Sequence, residues 1–325
     1  MGKYFKNKHC VYLDQFAVSN CAVECPSGDW QAIKQLLVTG VQNDVLVIPY
    51  SQDHLLESAH KDLVRAHEQD RFLFELSRGL TIRTEPDMTE RLLLNRGRKR
   101  PIGVSSFFEK RPVMGFDVAE GFGRFGARKN DFNAMIQEVT GPLNLMRPLT
   151  ALTPKHNQSE RAEFVAGRVK YYESEVVFRL KRLAHHSYWE PKVVPFAVQL
   201  VPFWADALLQ SLMHKHRMTP VEARRIKEGI EKDGLQVVAP PLFIRANLEA
   251  AMALKHQKET PNDYVDVQRM AAALPAADIV LTDKAKCYDV KSLGLDKRFN
   301  TDMYSGGRDD LQRFRHRLQE IVIRS

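Results

Sequence analysis

The chain has 325 residues, 44% of them hydrophobic, enough to bury the core of one large or two ordinary domains, which excludes a disordered protein. Lys and Arg total 48 against 40 Asp and Glu, and the net charge of +8 favours a polyanionic partner without choosing between nucleic acid and a membrane surface. The cysteines at 10, 21, 25 and 287 are too scattered for a disulfide framework, and no second Cys/His pair follows Cys21 and Cys25 to complete a zinc site, so reduced thiols in a cytoplasmic protein are expected.

The first apolar run, Cys10 to Leu13, is far too short for a signal-peptide core or a membrane span, so no membrane partner is expected. With His9 it reads as a strand that stops at Asp14. Trp30 to Val38 has helical spacing, and DVLVI (Asp44 to Ile48) is rich in β-branched residues and stops at Pro49. Ser51 is then placed to cap a helix running through His54, Leu55 and Glu57 to about Leu76. Strand, helix, strand, helix is the rhythm of a parallel sheet.

From about residue 85 the character changes to long amphipathic helices joined by basic loops. Arg161 to Ala184, Pro195 to His216 and Pro220 to Lys232 all have helical spacing, with Tyr171, Tyr172 and Phe178 expected on a packed face. The α/β alternation returns with a helix over Asn262 to Leu274 and a buried strand ADIVLT (Ala277 to Thr282) that stops at Asp283. A last strand over Lys297 to Met303 and a helix over Arg308 to Ile323 complete the chain. The expected fold is α/β: residues 1–84 and 240–325 form one sheet domain, interrupted by a mostly helical insertion over 85–239.

Two apolar strands therefore end in an aspartate, Asp14 and Asp283. In an open parallel sheet the carboxyl ends of the strands line one edge, and ligands bind there. Glu57, two turns into the helix after the DVLVI strand, leans over that edge. Asp263 and Asp266, at i and i+3, share one helical face. An oxygen-only set of this kind suits Mg²⁺ or Mn²⁺, and crowded carboxylates repel one another unless a cation lies among them. Two such ions about 4 Å apart activate water and stabilise the leaving oxygen of a phosphodiester. Each acid also has an ordinary structural role: a helix N-cap for Asp14 or Asp283, a dipole partner in the first turn for Asp263, a solvated helix face for Glu57. The chemistry rests on the set.

VYLDQFAVS, IPYSQDHLLES and NDYVDVQRMAAALPAADIVLTDK, in that order, resemble the PIN-like nucleases. The resemblance spans only the two ends of the chain. It implies a parallel sheet sandwiched by helices with acids gathered at one edge. It also implies metal-binding and catalytic roles for Asp14, Glu57 and Asp283, with the remaining position filled by Asp263, Asp266 or both. The implied activity is a metal-dependent endonuclease using Mg²⁺ or Mn²⁺, on RNA rather than DNA because the resembled group mostly acts on RNA. A catalytically inactive nucleic-acid-binding scaffold with the same core and a structure-specific DNA nuclease are the alternatives. Around the acids, Ser51 and Thr282 are candidates to orient ligands or water, against the plainer roles of a helix cap and a buried strand hydroxyl.

Outside these segments, Gly121 to Gly126 satisfies GxGxxG but lacks the strand and the later acid of a dinucleotide site. Its Gly, Phe and Arg content points instead to nucleic-acid contact through Arg124 and Arg128. The densest positive charge is RLLLNRGRKR, where Arg96, Arg98, Lys99 and Arg100 are expected to hold a nucleic-acid backbone. His185, His186, His214 and His216 lack the carboxylate or cysteine company of a zinc site and read as helix-surface histidines.

Overall fold

Residues 9–13 and 279–282 are continuous apolar runs, the pattern of strands covered on both faces, and both are strands. The computed structural model describes residues 2–24, 28–51, 54, 63–110, 157–185, 203–255 and 260–323. In chain order its elements are β1 (His9–Leu13), α1 (Gln15–Ser19) running into a π-helical turn at Asn20–Glu24, α2 (Gly28–Gln42), β2 (Leu46–Val47), α3 (Leu63–Ser77) and β3 (Leu80–Ile82). Then follow α4 (Glu85–Gly97), α5 (Val104–Phe107), β4 (Phe108–Lys110), α6 (Gln158–His185), α7 (Phe203–Gln210) with a π-helical turn at Ser211–Lys215, α8 (Pro220–Asp233), α9 (Leu235–Val238) and α10 (Pro240–Leu254). The last are α11 (Pro261–Ala276), β5 (Ile279–Thr282), α12 (Lys284–Ser292), α13 (Leu295–Phe299), β6 (Asp302–Ser305) and α14 (Arg308–Ile323).

A four-stranded parallel sheet of order β2-β1-β5-β6, flanked by helices, makes the protein α/β. Val11, Tyr12 and Leu13 lie beside Ile279, Val280 and Leu281, and Ile279 to Thr282 lie beside Asp302 to Ser305. Outside β2, Tyr50 bridges in parallel to Thr81 of β3, and β3 pairs antiparallel with β4. The chain steps outward from β1 in one direction and from β5 in the other. The neighbours β1 and β5 are therefore the point at which strand order reverses.

Alternation of side chains along β1 and β5 puts Val11, Leu13, Ile279 and Leu281 on one face. There they join Ile33, Leu37 and Val41 of α2 and Leu311, Phe314 and Leu318 of α14 in one buried cluster. These helical residues recur at i, i+3 or i+4, and i+7 or i+8, so one stripe of each helix is apolar and the other meets water. Each such side chain contributes about 1.5–3 kcal/mol on burial. The approach of α2 to the sheet requires Gly40, because a Cβ there would lie 2.4 Å from Leu46 Cδ1.

The strand expected over Lys297 to Met303 starts later. Gly294 and Asn300, both left-handed (φ 65° and 50°), bracket the short α13, and the strand is Asp302–Ser305. Residues that tolerate the left-handed region at both ends let the chain complete one helical turn before it pairs with β5. The short β3 and β4 carry too few residues for a periodic signal. The N-terminal segment is fixed by Lys3, whose ammonium donates to the carbonyls of Leu274 (2.9 Å) and Ala277 (2.6 Å) and to Thr301 Oγ1 (2.8 Å). Burial lowers the Lys3 pKa to about 8, against the opposing pull of Asp278.

The chain divides into two compact units, one of residues 1–84, 107–150 and 257–325, which holds the sheet, and one of residues 85–106 and 151–256. Residues 240–254, grouped with the sheet by sequence, belong with the helical unit. There buried Arg245 of α10 pairs with buried Glu85 (3.1 Å) and with half-buried Glu249 (2.8 Å), and Tyr172 of α6 hydrogen-bonds Glu249. Burial pushes the Glu85 carboxyl up even though Arg245 pulls it down. In the same unit Tyr172, Val176 and Leu180 are buried, as are Ala223, Ile226 and Ile230 of α8. Phe178, expected on the packed face, is 54% exposed with the Arg182 guanidinium 5.8 Å from its ring centroid. No helix among the described residues is long and apolar enough to cross a membrane.

Candidate active site at the carboxyl edge of the sheet

Asp14 and Asp283 are the residues that follow the adjacent strands β1 and β5, so pairing alone brings them to one edge. The Asp14 backbone N–H continues the ladder to Leu281 O at 2.9 Å. Its carboxylate is buried and held from several sides: Oδ2 accepts from Thr282 Oγ1 (2.8 Å), and Oδ1 from Gln15 N (2.7 Å) and Arg269 Nη1 (3.3 Å). Asp14 thus caps α1 and also binds across the sheet. Asp283 caps α12, its Oδ1 accepting from Ala285 N (2.7 Å) and Lys286 N (3.0 Å). Its Oδ2 has no hydrogen bond among the described residues.

The helix α11 supplies the other two acids. Asp263 closes a capping box with Thr260, Oδ2 accepting from Thr260 N (3.0 Å) and Oγ1 (2.7 Å). Burial pushes the Asp263 carboxyl up, but the two hydrogen bonds from Thr260 and the Lys286 charge outweigh it and hold the pKa below the ordinary value. Asp266, one turn on, lies 3.7 Å from Arg269 Nη1 and 3.8 Å from Lys286 Nζ. Lys286 also reaches Asp263 Oδ1 at 3.5 Å.

Arg269 and Lys286 are buried cations that sequence reasoning passed over. Burying a charge is costly unless it is paired, and both are paired with the predicted acids. The signals were present: Arg269 follows Asp266 by three residues on one helix face, and Lys286 follows Asp283 by three. Asp14, Arg269, Asp266, Lys286 and Asp263 form one chain of alternating charge. That chain sets three carboxylates against two cations.

No family model matches this chain, and comparisons with curated proteins and with solved structures give no significant match.

His54 is the other group that the sequence did not single out. It is fully buried, packs 5.4 Å from the Tyr12 ring centroid, and joins the DVLVI strand's exit to β1. Its Nδ1 accepts from Ser51 N–H (2.9 Å), so the ring hydrogen sits on Nε2, which donates to Leu13 O at 2.7 Å. Burial, then the Arg269 charge, lower its pKa to about 4. A neutral imidazole therefore ties the residue before Asp14 to the next strand's exit. Ser51 Oγ lies 3.4 Å from His54 N, the geometry of a weak cap.

Of the expected site residues, Asp14, Asp263, Asp266 and Asp283 lie at this edge, Asp14 and Asp266 linked through Arg269, and Asp263 and Asp266 through Lys286. Glu57, Arg124 and Arg128 lie outside the described residues, as do the glycine-rich segment 121–126, Cys25 and His186. Among the described residues, no three His, Cys, Asp or Glu side chains are grouped closely enough to hold a metal ion. The donor chemistry is all oxygen, which fits Mg²⁺ or Mn²⁺ and not zinc. Asp310, an acid not singled out by sequence, accepts from Ser305 Oγ (2.7 Å) at the end of β6.

In the helical unit the expected backbone-binding residues separate into two kinds. Arg96 and Arg98 pair with Asp233 (2.5 Å) and Glu222 (2.9 Å), whereas Lys99 and Arg100 are exposed. His216, read as a surface histidine, lies 2.9 Å from Glu90.

Proposed function

We propose that the sheet unit is a PIN-like, Mg²⁺- or Mn²⁺-dependent endonuclease acting on RNA in the cytoplasm. The observation that carries this reading is the meeting of Asp14 and Asp283 at the strand-order reversal between β1 and β5, with Asp266 paired through Arg269 to Asp14. Asp14, Asp283 and Asp266, with Glu57 by resemblance, would hold the metal, which when bound supplies an activated water and charge stabilisation for phosphodiester hydrolysis. Between the two α11 acids we assign Asp266, because Asp263 is the capping-box acid of Thr260 whereas Asp266 shares Arg269 with Asp14.

The chain's own residues have defined tasks around that centre. Thr282 fixes the orientation of the Asp14 carboxylate. Arg269 and Lys286 offset carboxylate repulsion before substrate arrives and aim positive charge at an edge where a phosphate would sit. Asp14→Asn and Asp283→Asn should each abolish cleavage of single-stranded RNA while leaving the folded state and RNA binding in place. Wild-type rates in both variants would sink the reading.

One observation favours a second reading, a non-catalytic nucleic-acid-binding protein with the same core. Arg269 and Lys286 already perform the charge neutralisation that a metal would otherwise provide. Calorimetric titration with Mn²⁺ separates the two. Heat of binding that disappears in Asp14→Asn supports the nuclease, and none at millimolar Mn²⁺ supports the scaffold.

A further inference from the structure

The helical unit carries a cationic surface built from two helix ends. At the end of α4, Arg100 N–H bonds Asn95 O (2.8 Å) and Lys99 takes a left-handed backbone, φ 55°. At the end of the π-helical turn 211–215, Met218 N–H bonds Leu212 O (2.9 Å) and Arg217 takes the same conformation, φ 51°. This is the helix-terminating position that glycine normally fills, and a side chain there costs about 1–2 kcal/mol. Both ends use a long cation instead.

The two ends are locked together. The Arg98 guanidinium donates to His216 O (2.7 Å) and to Glu222 (2.9 Å), and Arg225 donates to Gly97 O (3.2 Å). Lys99 and Arg217 each follow a residue of that clasp, and Arg224 precedes Arg225. Lys99, Arg100, Arg217 and Arg224 are exposed and make no ion pair with any described residue. The neighbouring acids are committed: Glu222 to Arg98 and the Thr219 N–H, Glu90 to Lys215 and His216.

A helix dipole rewards an exposed cation at a helix C-terminus by about 0.3–1 kcal/mol, which at best offsets the backbone strain at Lys99 and Arg217. It gives no reason for Arg224, in the second turn of α8 and beyond the reach of the helix end. The four exposed cations are thus left open to an external anion. Arginine forks match phosphate in a bidentate way.

We infer that this two-turn surface, with Lys99, Arg100, Arg217 and Arg224 as its contacts, docks the phosphodiester backbone of a nucleic acid. The choice of nucleic acid among polyanions rests on the nuclease reading. Contacts of this kind position a strand without reading its bases.

The test measures binding of a fluorescent single-stranded RNA to the full chain in EDTA at several salt concentrations. The K99G/R217G variant relieves backbone strain at both caps, so it should melt at or above the wild-type temperature. It is expected to bind at least about tenfold more weakly near 0.1 M salt, with log K against log salt flattened by about 1.4, or about 0.7 per lost phosphate contact on a single strand. Adding R100A and R224A should flatten it by about as much again. An unchanged slope in all variants overturns the inference, because the cations would then serve only the caps. Wild-type binding to vesicles of anionic phospholipid but not to RNA overturns it as well. RNA binding that these variants lose, in a chain that cuts no RNA, upholds this surface and sinks the nuclease; RNA cutting with variant binding unchanged does the reverse.

Discussion

Asp14 does three things at once: it ends β1, caps α1 and accepts from Thr282 across the sheet. A carboxylate with that many fixed donors has one orientation, which a metal-binding or water-orienting role requires. Thr282→Val keeps the shape of the strand and removes only the hydroxyl. It should cost about 1–3 kcal/mol in urea unfolding and lower cleavage about 10- to 100-fold. A loss of stability with full activity would make Thr282 a strand residue and nothing more. His54 gives a pH signature. Its folded pKa, about 4, lies below the ordinary 6.5, so the unfolded chain binds the proton first as pH falls. Its contribution is therefore complete above pH 6.5 and declines from there to pH 4, by roughly 3 kcal/mol over the window. His54→Gln, which can still donate to Leu13 O, should flatten that limb of the stability curve, and an unchanged limb would assign the acid sensitivity elsewhere.

At the scale of elements, α11 separates two roles that the sequence left joined. Asp263 and Asp266 share one helix face in the sequence, and the Thr260 cap on the first and the Arg269 pair of the second distinguish them. Asp263→Asn should cost on the order of 1 kcal/mol of stability and leave most activity, while Asp266→Asn should do the opposite. Thermal melts and cleavage rates on the pair decide it; the reverse pattern would move the ligand to Asp263. The packing of α2 on the sheet is as tightly set. Gly40→Ala should destabilise by about 1–3 kcal/mol, because Leu46 must yield. The helices α2, α6, α8, α11 and α14 were legible because each carries enough residues for periodicity to emerge, and β1 and β5 because each is a continuous apolar run; of the apolar run DVLVI only Leu46–Val47 is strand. The short β3 and β4 were not, and the last strand was displaced because left-handed Gly294 and Asn300 impose a helical turn that hydrophobic pattern alone does not encode.

For the whole molecule, composition and strand rhythm were sufficient for an α/β fold with a helical unit inserted in sequence. They were insufficient for the boundary, because α10 is apolar enough to suit either unit, and the buried Arg245–Glu85 pair and the Tyr172–Glu249 hydrogen bond assign it to the helical one. The positions of Asp14 and Asp283 were legible as strand ends. The buried cations were not, since Arg269 and Lys286 look like solvated helix charges until the fold buries them. The tie of Lys3 to Leu274, Ala277 and Thr301 is equally invisible in a linear sequence. A metal-dependent nuclease at the β1/β5 edge is tested most directly by RNA cleavage by the full chain as a function of divalent metal. Cleavage that needs Mg²⁺ or Mn²⁺, stops in EDTA and is absent in Asp14→Asn is the predicted result; cleavage that persists in EDTA or in Asp14→Asn at the wild-type rate would contradict it.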